Sequence, residues 1–207
     1  MKIAVVGVGA MGSVYATFLA EAGHEVWAVD KWREHVAAIN ASGLRLSGIS
    51  GDRLVENVEA VLDVGDAPKC DLYVIATKGS GVISAARAIA KAMPPHAMVL
   101  TIQNGLGAGA RISEYLPKDA VLLGVADGFG AEMKGPGHAY HNAMKLIRLG
   151  EIQGGQTERL SYLEEVWQNA GFNAQAFADI HKLIWEKYIC NVALSGPCTV
   201  FKCNVGE

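Results

Sequence analysis

The sequence predicts an α/β fold, a doubly wound parallel sheet followed by the start of an all-helical segment. Three observations carry this prediction. Short apolar runs without alternation, Lys2–Val6, Leu72–Ala76 and Met98–Ile102, have the character of strands buried on both faces. Helical patterns lie between such runs, giving a βαβ rhythm. A glycine turn, Gly7-Val8-Gly9-Ala10-Met11-Gly12, joins the first strand to the first helix.

The elements follow in order. After the strand Lys2–Val6 comes a helix over Met11–Glu21, with Gly23 as its C′ residue. Glu25–Val29 is the second strand and Arg33–Asn40 the second helix. Gly43–Leu46 and Leu54–Ala60 read as short strands. Leu72–Ala76 is a buried strand, Val82–Ala92 a helix that stops before Pro94-Pro95, and Met98–Ile102 the next buried strand. Beyond Pro117 the texture changes. Val121–Val125, Gly128–Glu132 and Lys145–Gly150 read as strands, with a glycine-rich hairpin around Gly135-Pro136-Gly137. Glu158–Asn169 is an amphipathic helix ending at Gly171, and Phe172–Phe177 a last strand. A longer helical pattern begins at Asp179, a natural N-cap, and is expected to be interrupted at Gly196-Pro197. No internal repeat or low-complexity segment is present.

The glycine turn points to chemistry. G-x-G-x-x-G after a strand and at the mouth of a helix is the dinucleotide fingerprint. Gly7 permits the tight turn, Gly9 lets backbone approach a pyrophosphate, and Gly12 lets helix and strand pack closely. The helix's unpaired N–H groups then face the phosphates. The alternative is a tight turn that binds nothing. Asp30 ends the second strand, where a carboxylate accepts from the adenine ribose and favours NAD(H). Lys31 and Arg33 follow and suit a 2′-phosphate instead, so NADP(H) stays open. Asp30 also reads as an N-cap of the next helix. Lys78 ends the Leu72 strand and Asn104 the Met98 strand, so both face the crevice at the carboxyl ends of the sheet. Each also has a plain reading, a solvated lysine and an Asn-Gly turn. Lys187 and Asn191 share a helix face, which Ser195 continues one turn on. Such a line among apolar residues reads as a site wall, or, for the lysine, as a solvated charge.

Composition narrows the partners. The chain has 207 residues, a net charge of −3 and no basic run, so no nucleic acid is expected. No apolar stretch is long enough to cross a membrane, and no charged-then-apolar leader opens the chain. Cys70, Cys190, Cys198 and Cys203 form no C-x-x-C pair and read as reduced thiols of a cytoplasmic protein. His138 and His141 lack a supporting ligand set, so no metal is expected. His24, His35, His96 and His181 read as surface residues. The apolar run Val192–Phe201 needs cover, from more of the same chain or from another subunit.

At this point the chain resembles the ketopantoate reductase (2-dehydropantoate 2-reductase) family. The resemblance is carried by the glycine turn, Ala76-Thr77-Lys78, Gln103-Asn104-Gly105-Leu106-Gly107, the Gly135 hairpin, and Ile184-Trp185-Glu186-Lys187-Tyr188-Ile189-Cys190-Asn191. It implies a Rossmann-like dinucleotide-binding domain over 1–178. Residues 179–207 would begin a helical substrate and dimerisation domain whose remainder is absent, so a C-terminally truncated chain is expected. It implies NAD(P)H-dependent reduction of 2-dehydropantoate to pantoate, on the route to pantothenate and coenzyme A. Lys187 would be the proton donor. Asn104, Asn191 and Ser195 would contact the small keto acid substrate. Gly7, Val8, Gly9, Ala10, Met11, Gly12, Asp30, Lys78, Asn104 and Gly130 would contact the cofactor. A homodimer through the C-terminal helical region is a further expectation. Ser195 departs from the family pattern, which carries a second asparagine there. Two rivals remain: a related 2-keto or 3-hydroxy acid dehydrogenase, and a catalytically silent nucleotide-binding module.

Overall fold

Strand Lys2–Val6 (β1) lies inside an eight-stranded sheet, because the chain reverses its direction of growth there. The computed structural model describes residues 1–206. From β1 the chain passes through helix Ala10–Glu21 (α1) to strand Glu25–Val29 (β2). Helix Arg33–Ser42 (α2) and strands Leu44–Gly48 (β3), Arg53–Val55 (β4) and Val58–Val61 (β5) follow. It then returns to the far side of β1 with strand Leu72–Ile75 (β6), helix Val82–Ala92 (α3) and strand Met98–Ile102 (β7). A short helix, Ala108–Ile112 (α4), precedes strand Val121–Asp127 (β8). Strands Gly130–Gly135 (β9), His138–Ala143 (β10) and Leu146–Glu151 (β11) come next. Helix Glu158–Asn169 (α5), strand Ala174–Ala176 (β12) and helix Ile180–Phe201 (α6) complete the order.

The large sheet runs β12-β11-β8-β7-β6-β1-β2-β5. Every pair from β5 to β8 is parallel, and β11 is antiparallel to β8. Parallel strands buried on both faces need no alternation, and all four residues of β6 are indeed buried. Ile3, Val5, Leu72 and Val74 face one core; Ala4, Val6, Tyr73 and Ile75 face the other.

A second sheet, β4-β3-β10-β9, stands apart from the first. The stretch expected as one strand over Leu54–Ala60 is therefore two, divided between the sheets. The hairpin at Gly135-Pro136-Gly137 joins β9 to β10, and β10 pairs in parallel with β3. This sheet covers α1, which is buried at every residue from Gly12 to Ala20. A helix apolar on all sides needs such cover.

Two local expectations are corrected. Gly196-Pro197 does not interrupt α6, which runs through Pro197 to Phe201. Proline forfeits one intrahelical hydrogen bond, and a helix this long tolerates that loss. The helix stops at Lys202, whose backbone is left-handed (φ 53°), with Cys203 N–H bonded to the Cys198 carbonyl at 3.1 Å. His35 is not a surface residue; it is fully buried, stacked on Trp32, and its Nδ1 accepts from Gly137 N–H at 2.8 Å. His141 is buried too, beside Ser50 Oγ at 3.1 Å. All four cysteines are free thiols. Among the described residues, no helix is long and apolar enough to cross a membrane.

Candidate active site

The carboxyl ends of β5, β2, β1, β6, β7 and β8 open onto one cleft of about 660 Å³. Each strand delivers a residue or two at its end, the reason a parallel sheet makes a site where its order reverses. Gly7, Gly9, Ala10 and Met11 come from the turn after β1. Asp30 and Lys31 follow β2, Leu62 and Asp63 follow β5, Thr77 and Lys78 follow β6, Gln103 and Asn104 follow β7, and Ala126 lies at the end of β8. Lys187 reaches in from α6.

The three glycines of the turn do different work. Gly7 has φ +92°, and a Cβ there would lie 2.6 Å from Thr77 N. A Cβ on Gly12 would lie 2.0 Å from the Gly7 carbonyl oxygen, so this glycine serves packing and is itself buried. A Cβ on Gly9 would meet nothing within 4 Å. The fold does not need a glycine at position 9; the open cleft in front of it is what a side chain would fill. The first turn of α1 has no side-chain cap and no acidic residue, so its N–H groups are left for an outside acceptor. With Lys78 on the same wall, this donor set fits a diphosphate.

Asp30 does not cap α2, since Trp32 holds that position. Instead Asp30 Oδ1 accepts from Trp32 N–H at 3.0 Å, which fixes the carboxylate at the edge of the cleft. Gln103, whose role sequence reasoning missed, donates from Nε2 to the Thr77 carbonyl at 3.0 Å and to that of Ile75 at 3.3 Å. It ties the end of β7 to the end of β6 and so braces the segments that carry Asn104 and Lys78. Only its place at a strand end signalled it.

Lys187 is half-buried, and its ammonium donates to the Ala126 carbonyl. Burial pulls its pKa below the ordinary lysine value; Asp127 opposes this and Arg148 adds to it. Arg148 Nε lies 2.8 Å from Asp127 Oδ2, an ion pair set off-line for a hydrogen bond, and its Nη1 reaches Glu186 at 3.4 Å. Asp127 and Arg148 also went unnoticed in the sequence, because their proximity to Lys187 depends on the β8–β11 pairing.

Five sequence candidates do not line the cleft. Val8 is buried in the core, and Gly12 packs on Gly7. Gly130 opens β9 between Phe129 and Ala131, which do line the cleft. Asn191 is half-buried one turn beyond Lys187, and Ser195 is exposed.

Residues 3–154 match the family model described as Ketopantoate reductase PanE/ApbA. The chain belongs to this family. A 2-dehydropantoate 2-reductase of Lactococcus lactis is 31% identical over 207 residues, 99% of this chain and 66% of that protein. The chain thus spans just under two thirds of the length of the curated relatives it matches. Among solved structures, the 2-dehydropantoate 2-reductase of Geobacter metallireducens aligns with a TM-score of 0.90 at 26% identity, over 98% of this chain and 66% of that one. A ternary structure of D-mandelate dehydrogenase with NADH and anilino(oxo)acetate aligns with a TM-score of 0.89 at 27% identity, over 98% and 65%. The fold is therefore the Rossmann-like one of this family.

Proposed function

We propose that this chain carries the dinucleotide half of an NAD(P)H-dependent reductase that converts 2-dehydropantoate to pantoate. In this reading residues 1–178 hold the dinucleotide and residues 179–207 begin the substrate domain. Gly7, Gly9, Ala10 and Met11 would hold the pyrophosphate, Asp30 the adenine ribose, and Lys78 and Asn104 the remainder of the cofactor. When bound, the reduced nicotinamide supplies hydride to the keto carbon. The protein must then meet the charge that develops on the keto oxygen.

Lys187 is the observation that carries the reading. Among the described residues it is the one cation that α6 brings to the wall shared by the glycine turn and Asn104. An ammonium there stabilises a developing alkoxide and then hands over its proton. Burial lowers its pKa, which makes it a better proton donor than a solvated lysine, and Asp127 opposes that shift. Asn104, with a donor and an acceptor on one amide, suits the keto acid and the cofactor together. Asn191 and Ser195 follow Lys187 along α6 and would meet substrate beyond the cleft. A homodimer through the helical region belongs to the same proposal.

The test is oxidation of NADH or NADPH by the purified protein with 2-dehydropantoate, compared with its Lys187→Ala variant. The variant is expected to lose roughly 10²–10⁴-fold in kcat. An unchanged rate would sink the role of Lys187. A second reading, reduction of a different 2-keto acid, draws support from the D-mandelate dehydrogenase likeness, which is as strong as that to the reductase. A panel of 2-keto acids separates the two, and dinucleotide binding without turnover of any of them would favour a silent binding module.

A further inference from the structure

We propose that the cleft selects the dinucleotide that lacks a 2′-phosphate, NADH over NADPH, and that Asp30 and Asp63 enforce the choice together. The proposal rests on the dinucleotide reading above and concerns one corner of the same site.

That corner is built by two neighbouring strands. β2 and β5 are parallel partners, with Val29 opposite Val61, and Asp30 N–H donates to the Val61 carbonyl at 3.1 Å. The residues just past the two strand ends therefore share one stretch of wall, where Asp30, Lys31, Leu62 and Asp63 all line the cleft. Sequence reasoning weighed Asp30 against Lys31 and Arg33. Asp63 enters only through the strand pairing.

Both carboxylates are held in place. Asp30 Oδ1 accepts from Trp32 N–H at 3.0 Å, and Asp63 Oδ1 accepts from Gly65 N–H at 2.9 Å. Among the described residues, neither second oxygen has a hydrogen bond and neither carboxylate is in an ion pair. Ionised carboxylates only accept. A ribose 2′-hydroxyl donates and matches them. A 2′-phosphate has acceptor oxygens and about −1.5 to −2 charges at neutral pH.

The charge balance points the same way. On the stretch of wall formed by Asp30, Lys31, Leu62 and Asp63, two held carboxylates stand with one lysine on a flexible stem, so this corner is net negative; Lys78 enters the cleft from the end of β6 and Lys187 from α6. Arg33, which follows Lys31 closely in the chain, is exposed on α2 and does not line the cleft. A phosphate set into this corner meets repulsion that partial desolvation strengthens.

The experiment is a calorimetric titration of the chain with NADH and with NADPH, repeated with ADP and with its 2′-phosphorylated counterpart to isolate the adenosine end. NADH is expected to bind at least about tenfold more tightly, with the same order among the fragments. Raising salt should narrow the gap by screening the repulsion. Asp30→Asn and Asp63→Asn keep the acceptor for Trp32 or Gly65 and remove only the charge, so each should shrink the ratio. NADPH binding as tightly as NADH overturns the proposal and leaves the dinucleotide reading standing. Ratios unmoved in both variants overturn the role of the carboxylates. Binding of neither dinucleotide overturns the proposal and the reading beneath it.

Discussion

A single position separates what the glycine turn does for the fold from what it does for a ligand. At Gly12 a methyl group would collide with the Gly7 carbonyl, and at Gly9 it would enter open space. Gly9 also has an ordinary φ of −70°, so alanine adopts its backbone without strain. Gly9→Ala is therefore expected to leave thermal stability almost unchanged while weakening dinucleotide affinity by roughly tenfold or more. Gly12→Ala should cost about 3 kcal/mol through overpacking, roughly 6–12 °C in Tm for a chain of this size. Thermal melts and titrations on the pair check this. A large loss of Tm in Gly9→Ala would show that the fold, and not a ligand, requires that glycine. Lys187 teaches the same lesson from the other side. Its spacing to Asn191 is written in the sequence, yet the Asp127 and Arg148 charges that tune it come from two strands of the large sheet.

At the scale of elements, α1 and α6 are opposites. α1 is apolar around its circumference and buried between two sheets, so its burial serves the core. α6 buries only Ile180; Trp185, Ile189, Val192, Leu194, Val200 and Phe201 are exposed. Its first turns are fixed by the Asp179 cap, whose Oδ1 accepts from Lys182 N–H at 3.1 Å, by His181 beside the Ile152 carbonyl at 2.8 Å, by Leu183 and Ile184 packed on the core, by the Glu186–Arg148 pair and by Lys187 on the Ala126 carbonyl. From Ile189 onward most side chains are exposed, so the helix rests chiefly on its own backbone bonds, and Pro197 removes one of them. Amide exchange in this chain should accordingly be slowest in β1, β6 and β7 and fast from Ile189 onward. Equal protection along all of α6 would contradict this and point to a partner covering the apolar face.

For the molecule as a whole, buried histidines set a pH limit. Burial holds His35 and His141 below the ordinary histidine value of about 6.5. For His35 the Val8 carbonyl and Asp30 partly offset burial; for His141 the Ala143 backbone offsets it and Arg53 reinforces it. The unfolded chain thus binds protons at pH values where the folded one refuses them, so stability rises with pH through this window. It is fully present above about 6.5 and is lost as pH falls toward the folded values. Tm is expected to decline between about pH 7 and pH 5, with a shallower slope in His35→Asn, which keeps an acceptor for Gly137 N–H. Buried Glu151 acts lower on the scale. Burial alone would raise its pKa, but hydrogen bonds from Arg159 and Thr157 hold it below the usual carboxylate value, so its contribution is lost only in more acid solution.

Local chemistry determined much of this protein without help. Continuous apolar runs specify buried parallel strands, and glycine at a strand–helix junction specifies a turn that only glycine fits at Gly7. Lys187, Asn104 and Lys78 could be singled out because each stands at a strand end or on a helix face that periodicity makes visible. Tertiary structure decided what depends on pairing between distant segments. The division of Leu54–Ala60 between two sheets, the burial of His35 against Gly137, the placing of Asp63 on the same cleft wall as Asp30 and the charges around Lys187 all arise from strand partners far apart in the chain. Period and propensity are local quantities, whereas register and burial are properties of the packed whole, and it is the packed whole that sets the electrostatics of the cleft.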